Sequence, residues 1–296
     1  MIIFQIIALC IVCMYLFYWF ARENSLSSII LKFTVISVAG WINEETSIRI
    51  YHFYQYSPDW KLFIGNVPIM VIFVWPLVIH SGWELASQLM GGKKRHAHLV
   101  AALIIWIDAS LIEIISVKAG FWSWNAPGIF NVPLIGIFGW VYFSFLSILV
   151  LRLKKERMSG AINFIFLLIF LTSGTHALII TSWWLLFRWM LFPLNMVYIS
   201  PVAWLLSILF IYFIQRKSLD ADVESNTLIL RFLPSSFFFI WYLNNDPNLL
   251  YTAYIVAFCF PYLLIIYKIS KRKVSQKSYQ GSLDLKYYFR SSFRNK

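Results

Sequence analysis

Nine windows of this chain are apolar for long enough to cross a lipid bilayer: residues 2–21, 26–43, 63–82, 97–117, 133–151, 161–181, 196–214, 228–243 and 250–267. A spanning helix needs roughly 20 predominantly apolar residues, and within hydrocarbon every backbone N–H and C=O must find its partner inside the protein. Such a chain is expected to fold as an all-α, polytopic transmembrane bundle of about eight or nine helices. Composition agrees: 60% of residues are hydrophobic and 13% charged, against roughly 45–50% and 25% in water-soluble domains. The first window has neither a basic leader nor a small-residue cleavage site ahead of Arg22 and Glu23, so it is read as a retained helix rather than a signal peptide.

The net charge of +12 has a direction. Arg22, the Lys93, Lys94 and Arg95 run, Arg152, Lys154, Lys155 and Arg157, then Arg216 and Lys217, and finally the 268–296 tail fall on alternate connections. The opposite connections hold only Arg49, Lys61, Lys118 and Arg188. The positive-inside rule then places the N-terminus outside and the C-terminus in the cytoplasm of a multi-pass membrane protein. The basicity is thereby assigned to topology rather than to nucleic acid, with membrane lipid as the partner of the polar tail. Residues 1–267 are expected to form one transmembrane domain and 268–296 a cytoplasmic tail. The pattern carries no information on oligomeric state.

Comparison of the chain with itself shows a duplication. Asn66-Val67-Pro68-Ile69-Met70-Val71-Ile72-Phe73-Val74-Trp75 recurs, with six of ten positions identical, as Asn131-Val132-Pro133-Leu134-Ile135-Gly136-Ile137-Phe138-Gly139-Trp140. The offset of 65 residues is two spans, so both copies would point the same way across the bilayer, a parallel two-helix repeat with units near 40–82 and 105–151. Each copy follows an aromatic turn, Tyr51, Tyr54, Tyr56 and Trp60 in one and Phe121, Trp122 and Trp124 in the other. Ahead of each turn stands an acidic helix, with Glu44 and Glu45 or with Asp108 and Glu113. The prolines suit a helix start, and the asparagines before them are expected to cap. A looser third copy is read around His176, Trp183, Trp184, Asn195 and Pro201 to Trp204.

Asp108 lies mid-span, where a carboxyl costs about 2.5–3.5 kcal/mol on insertion scales, and this is the mark of a working residue facing the bundle interior. A carboxyl kept neutral by its surroundings is available as a proton donor. Glu113, five residues on, is turned by about 140° and does not share a face closely with Asp108. Glu44 and Glu45 are expected near water at a helix end. Acids and aromatic π-faces in one apolar pocket suit protonation of an alkene and stabilisation of the resulting carbocation. The expected site comprises Asp108, Glu44, Glu45 and Glu113 as acids. Tyr54, Tyr56, Trp75, Trp122, Trp124, Trp140, Asn66, Asn131 and His176 are its expected substrate-facing residues. No metal and no cofactor is expected: there is no His-x-x-x-His spacing within a span, no glycine-rich phosphate loop and no nucleophile elbow. Cys10, Cys13 and Cys259 all fall in apolar runs and read as packing thiols.

The stretch from Asp108 through Trp122-Ser123-Trp124, Gly128, Val132-Pro133-Leu134 and Gly139-Trp140 resembles the integral-membrane carotenoid biosynthesis proteins typified by the carotenoid 1,2-hydratases. The acidic helix, Tyr-rich turn, Gly65 to Pro68 and Trp75 extend the likeness to about residues 40–150. The resemblance implies a lipid-soluble carotenoid or isoprenoid substrate and hydration of its terminal double bond. Asp108 would then supply the proton, Trp122, Trp124 and Tyr54 would shield the tertiary cation, and Glu44 or Glu45 would orient the capturing water. Cyclisation, in which an internal alkene captures the same cation, stays open, as does a competing transport role for proline-bearing helices with intramembrane acids.

Overall fold

The computed structural model describes residues 2–23, 25–91, 96–153, 161–217, 223–245 and 247–267. Nine helices occupy the nine apolar windows among these residues: α1 (Ile2–Arg22), α2 (Leu26–Arg49), α3 (Ile69–Leu89), α4 (Ala97–Lys118), α5 (Leu134–Leu151), α6 (Ala161–Leu185), α7 (Met196–Lys217), α8 (Ser225–Asn244) and α9 (Leu249–Tyr267). Seven of them are long and apolar enough to cross a membrane. The other two are α7, whose apolar stretch is the shorter Val197–Phe213, and α8, which carries Arg231 and Pro234. This is a multi-pass integral membrane protein. The side chains of the 268–296 tail, of Lys93 to Arg95, and of Lys154, Lys155, Arg157, Arg216 and Lys217 lie outside the described residues.

α4 is the central helix, with 83% of its apolar window buried, whereas only 17% of the α1 window is. One contiguous buried cluster draws on all nine helices, from Val12 and Trp19 in α1 to Tyr254 and Phe258 in α9. The third window departs from expectation. Residues 63–68 form a hairpin, β2 (Phe63–Ile64) against β3 (Val67–Pro68), and helix begins only at Ile69. Gly65 sits at φ +64 in the turn, a left-handed conformation that terminates helix and favours glycine. Pro68 and Pro133 take the N-cap positions of α3 and α5 without any side-chain cap. The expected asparagine caps do not form.

At one end of the bundle α1, α3 and α8 are tied by polar contacts. The Tyr15 hydroxyl meets His80 Nδ1 at 2.8 Å, Trp19 stacks on the His80 ring at 3.7 Å, and Tyr18 bonds Glu84 and Thr227, each at 2.9 Å. Arg22 pairs with Glu224, joining the ends of α1 and α8. The opposite end carries the aromatic turns.

Candidate active site

Two aromatic strands roof the bundle at that opposite end. β1 (Tyr54–Tyr56) pairs antiparallel with β4 (Trp122–Trp124), with Tyr54 opposite Trp124, Gln55 opposite Ser123 and Tyr56 opposite Trp122. The period-two alternation of a strand sends the four aromatic rings to one face while Gln55 and Ser123 remain exposed. Ser57 N–H to Phe121 O and Asn125 N–H to Phe53 O, both 2.9 Å, prolong the ladder at its two ends. Beneath the ribbon lies a cavity of about 170 Å³ lined almost entirely by apolar and aromatic side chains, with Glu44 and Glu113 set into its wall.

Each glutamate gathers three donors. Glu44 Oε1 accepts from Trp75 Nε1 at 3.0 Å, and its Oε2 accepts from the Tyr56 hydroxyl at 2.9 Å and from the Tyr54 hydroxyl. Glu113 Oε1 accepts from Trp140 Nε1 at 2.7 Å, and its Oε2 from Trp122 Nε1 at 2.9 Å and Trp124 Nε1 at 3.1 Å. Both sets are made alike: a helical acid, two aromatics from the strand after it, and one tryptophan from the next helix. They meet at the ring pairs Trp75–Trp140, 4.8 Å between centroids, and Tyr54–Trp124, 4.7 Å.

The sets differ in what their donors can do. An indole N–H only donates, whereas a phenol both donates and accepts. A proton placed on Glu113 would therefore find no acceptor among its three partners, while one placed on Glu44 could be taken up by a tyrosine. Burial, and then the neighbouring Glu44 carboxylate, hold the Tyr56 phenol well above its ordinary pKa, so Tyr56 keeps its proton and donates it to the bond. Asn43 and Ser47, one helical turn apart on α2, and Thr175 of α6 add the remaining polar lining. Asn43 is only 6% exposed, and neither atom of its amide has a partner among the described residues.

A family model described as carotenoid biosynthesis protein matches residues 1–190, which hold both glutamates and all six of their aromatic donors. The chain belongs to the carotenoid biosynthesis protein family. No curated protein and no solved structure matches it. In this carotenoid biosynthesis protein, the helices beyond the matched region still reach the cavity, since Pro234, Phe237 and Phe238 of α8 form part of its wall.

The acids expected from the sequence part company. Glu44 and Glu113 face the cavity, and the β1–β4 roof separates Glu44 from the helix end at which water was expected. Glu45, rotated by one residue, instead latches the β2–β3 turn: it accepts from the Asn66 N–H at 2.7 Å and from Asn66 Nδ2 at 3.0 Å, and it forms an ion pair with Arg49 on its own helix at 2.9 Å. A Cβ at Gly65 would come within 2.7 Å of the same carboxylate. Asp108 lies outside the cavity lining. Its carboxylate pairs with Arg231 and accepts from the Tyr262 hydroxyl at 2.5 Å, while Arg231 also donates to Val78 O at 3.0 Å and Ser81 Oγ at 2.5 Å. Asp108 was expected among the acids of the pocket; it stands instead beside Arg231 and Tyr262, outside the cavity.

Tyr54, Tyr56, Trp75, Trp122, Trp124 and Trp140 all line the cavity. Asn66 is engaged by Glu45, Asn131 is exposed at φ +67, and His176 stands edge-on to Tyr51 outside the cavity. The looser third copy brings no acid to the site, although its Trp183 packs on Phe53. Among the described residues no group of three or more His, Cys, Asp or Glu side chains could hold a metal ion. Sequence reasoning missed Arg231, Tyr262, Asn43 and Ser47. Only Arg231 had a visible signal, since a lone cation within an apolar window calls for an intramembrane acid to pair with it.

Proposed function

We propose that this protein is a membrane-embedded enzyme that adds water, by acid catalysis, across the terminal C=C of an acyclic carotenoid or related polyprenyl lipid. The observation that carries the reading is the pair Glu44 and Glu113, each bonded by three aromatic donors, in the wall of one apolar cavity. Protonated Glu44 gives its proton to the less substituted alkene carbon: the carboxyl O–H bond breaks, a C–H bond forms, and the π pair leaves a tertiary cation. Indole faces of Trp75 and Trp140, with the Glu113 carboxylate as counter-charge, stabilise that cation. A water held by Asn43 and Ser47 attacks through its oxygen and returns a proton to Glu44, so the net change is one water added. This assigns the acid to Glu44, with Asp108 holding α4 to α8.

The matched sets are consistent with a duplication whose units are related by a twofold axis along the membrane normal, as the antiparallel β1–β4 pairing between two parallel units requires. With the basic connections in the cytoplasm, the cavity lies in the outer half of the bilayer.

Expression in a host that accumulates lycopene, followed by mass spectrometry of the extracted lipids, tests the reaction. The expected product has gained the mass of one water. A product of unchanged mass and shifted retention would mean that an internal alkene captures the cation and the enzyme is a cyclase; an untouched lipid profile opposes the enzyme reading and favours transport.

A further inference from the structure

The cavity is too small for the substrate class just proposed. An apolar cavity of about 150 Å³ takes a benzene, so the 170 Å³ here accepts about one five-carbon isoprene unit. The rest of a long polyisoprenoid must leave the protein, and an apolar chain leaves into lipid. Two of the helices that line the cavity, α1 and α8, meet along it, and α1 has the least buried of the seven candidate spans. Phe4, Ile7, Ala8 and Ile11 of α1 line the cavity together with Pro234, Phe237 and Phe238 of α8.

Each of these two helices has a loosely packed stretch at the cavity. In α1 the buried residues are Val12, Tyr15 and Trp19, and no residue before Val12 is buried. In α8 residues 232–241 hold no buried side chain, whereas Thr227, Leu228 and Arg231 before them and Tyr242 after them are buried. Away from these stretches the two helices are joined by the Tyr18–Thr227 hydrogen bond and the Arg22–Glu224 ion pair. The loosely packed stretches touch through phenylalanine rings, Phe4 lying 5.1 Å from Phe237 and 5.7 Å from Phe238 between centroids. Ring contacts of this kind are worth about 0.5–1.5 kcal/mol each and carry no direction that a sliding apolar chain would have to break. Pro234 withdraws one backbone hydrogen bond from α8 at the cavity wall, which lets the Phe-bearing stretch between Arg231 and Tyr242 bow away from α1.

We propose that the loosely packed stretches of α1 and α8, residues 2–11 and 232–241, form a lateral portal, with Phe4 and Phe237 as its leaves. One end of a polyisoprenoid threads through it from the membrane to the glutamates while the remainder stays among the lipid tails. This rests on the isoprenoid reading above and adds the route and the orientation of the chain, terminal unit inward.

The test replaces Cys10, Cys13 and Cys259 by alanine and introduces Phe4→Cys with Phe237→Cys. A control pair, Tyr18→Cys with Thr227→Cys, closes the anchored ends instead. Each protein, in liposomes, is illuminated with a polyisoprenoid carrying a diazirine on its terminal unit, and labelled residues are mapped by mass spectrometry. In the reduced Phe4→Cys/Phe237→Cys protein the label should fall on cavity residues such as Trp75 and Met70. Oxidation should lower that labelling at least tenfold, reduction should restore it, and oxidation of the control pair should leave it unchanged. Equal cavity labelling with the verified Phe4→Cys/Phe237→Cys disulfide closed overturns the portal and spares the isoprenoid reading. Absence of cavity labelling in every reduced protein overturns both.

Discussion

Glu44→Gln should lose product by about 10²–10⁴-fold, the usual worth of a positioned general acid, while the protein remains folded in the membrane. Glutamine preserves the shape of the side chain: its carbonyl can still accept from Trp75 Nε1, and its amide N–H₂, set where Oε2 stood, can donate to the Tyr54 and Tyr56 oxygens, since a phenol both donates and accepts, so the loss isolates the missing proton. Glu113→Gln should fall by roughly 10²–10³-fold for a different reason, the loss of the fixed negative charge opposite the cation. The amide also turns an N–H₂ toward indole donors that cannot accept from it. The two defects separate with Glu113→Asp and Glu44→Asp. A shortened carboxylate still supplies counter-charge at position 113 and partly rescues, whereas at position 44 it withdraws the proton from the alkene and rescues less. Product per unit of folded protein, quantified in detergent extracts, is the measurement.

Asp108 and Arg231 give the second large effect, on stability. Removing one partner of a buried ion pair leaves an uncompensated charge and costs about 3–5 kcal/mol. Asp108→Leu or Arg231→Met alone should lower the thermal midpoint in detergent by on the order of 10 °C. Arg231 would be stranded among Val78, Ser81 and Tyr262, or Asp108 left with Tyr262 alone. The double variant Asp108→Leu/Arg231→Met removes both charges and should recover most of the midpoint, because replacement of a buried pair by apolar residues is commonly near neutral. It should also recover turnover. A double variant that regains its midpoint yet makes no product would return the chemistry to Asp108.

The contrast between these acids explains what could be read from the chain and what could not. The nine helices were visible because a bilayer imposes one length and one composition on anything that crosses it. The acid–aromatic–tryptophan units were visible because they recur. The function of each acid was not, since it depends on partners far away along the chain. Asp108 meets Arg231 across 123 positions and Tyr262 across 154, and no local pattern encodes those distances. Glu44 and Glu45 are neighbours, but about 100° of helical rotation sends one into the cavity and the other to the Asn66 turn. Residues 63–68 read as the start of a span because Phe63, Ile64 and Val67 are apolar, yet Gly65 at φ +64 and the Glu45 latch hold them in a hairpin. The register that sets Tyr54 against Trp124 had no sequence signature at all; it follows from the two units standing side by side.

The measurement that bears most directly on the central claim is turnover of an acyclic carotene by the purified protein in heavy water, with the wild type beside Glu44→Gln. Proton donation from a solvent-exchanged acid followed by capture of water places one deuterium on carbon and a new hydroxyl on the neighbouring carbon. The wild-type product should therefore carry both, the deuterium surviving return to ordinary water, and the Glu44→Gln product should be missing. A hydroxylated product without carbon-bound deuterium, or one formed equally by Glu44→Gln, would contradict the account.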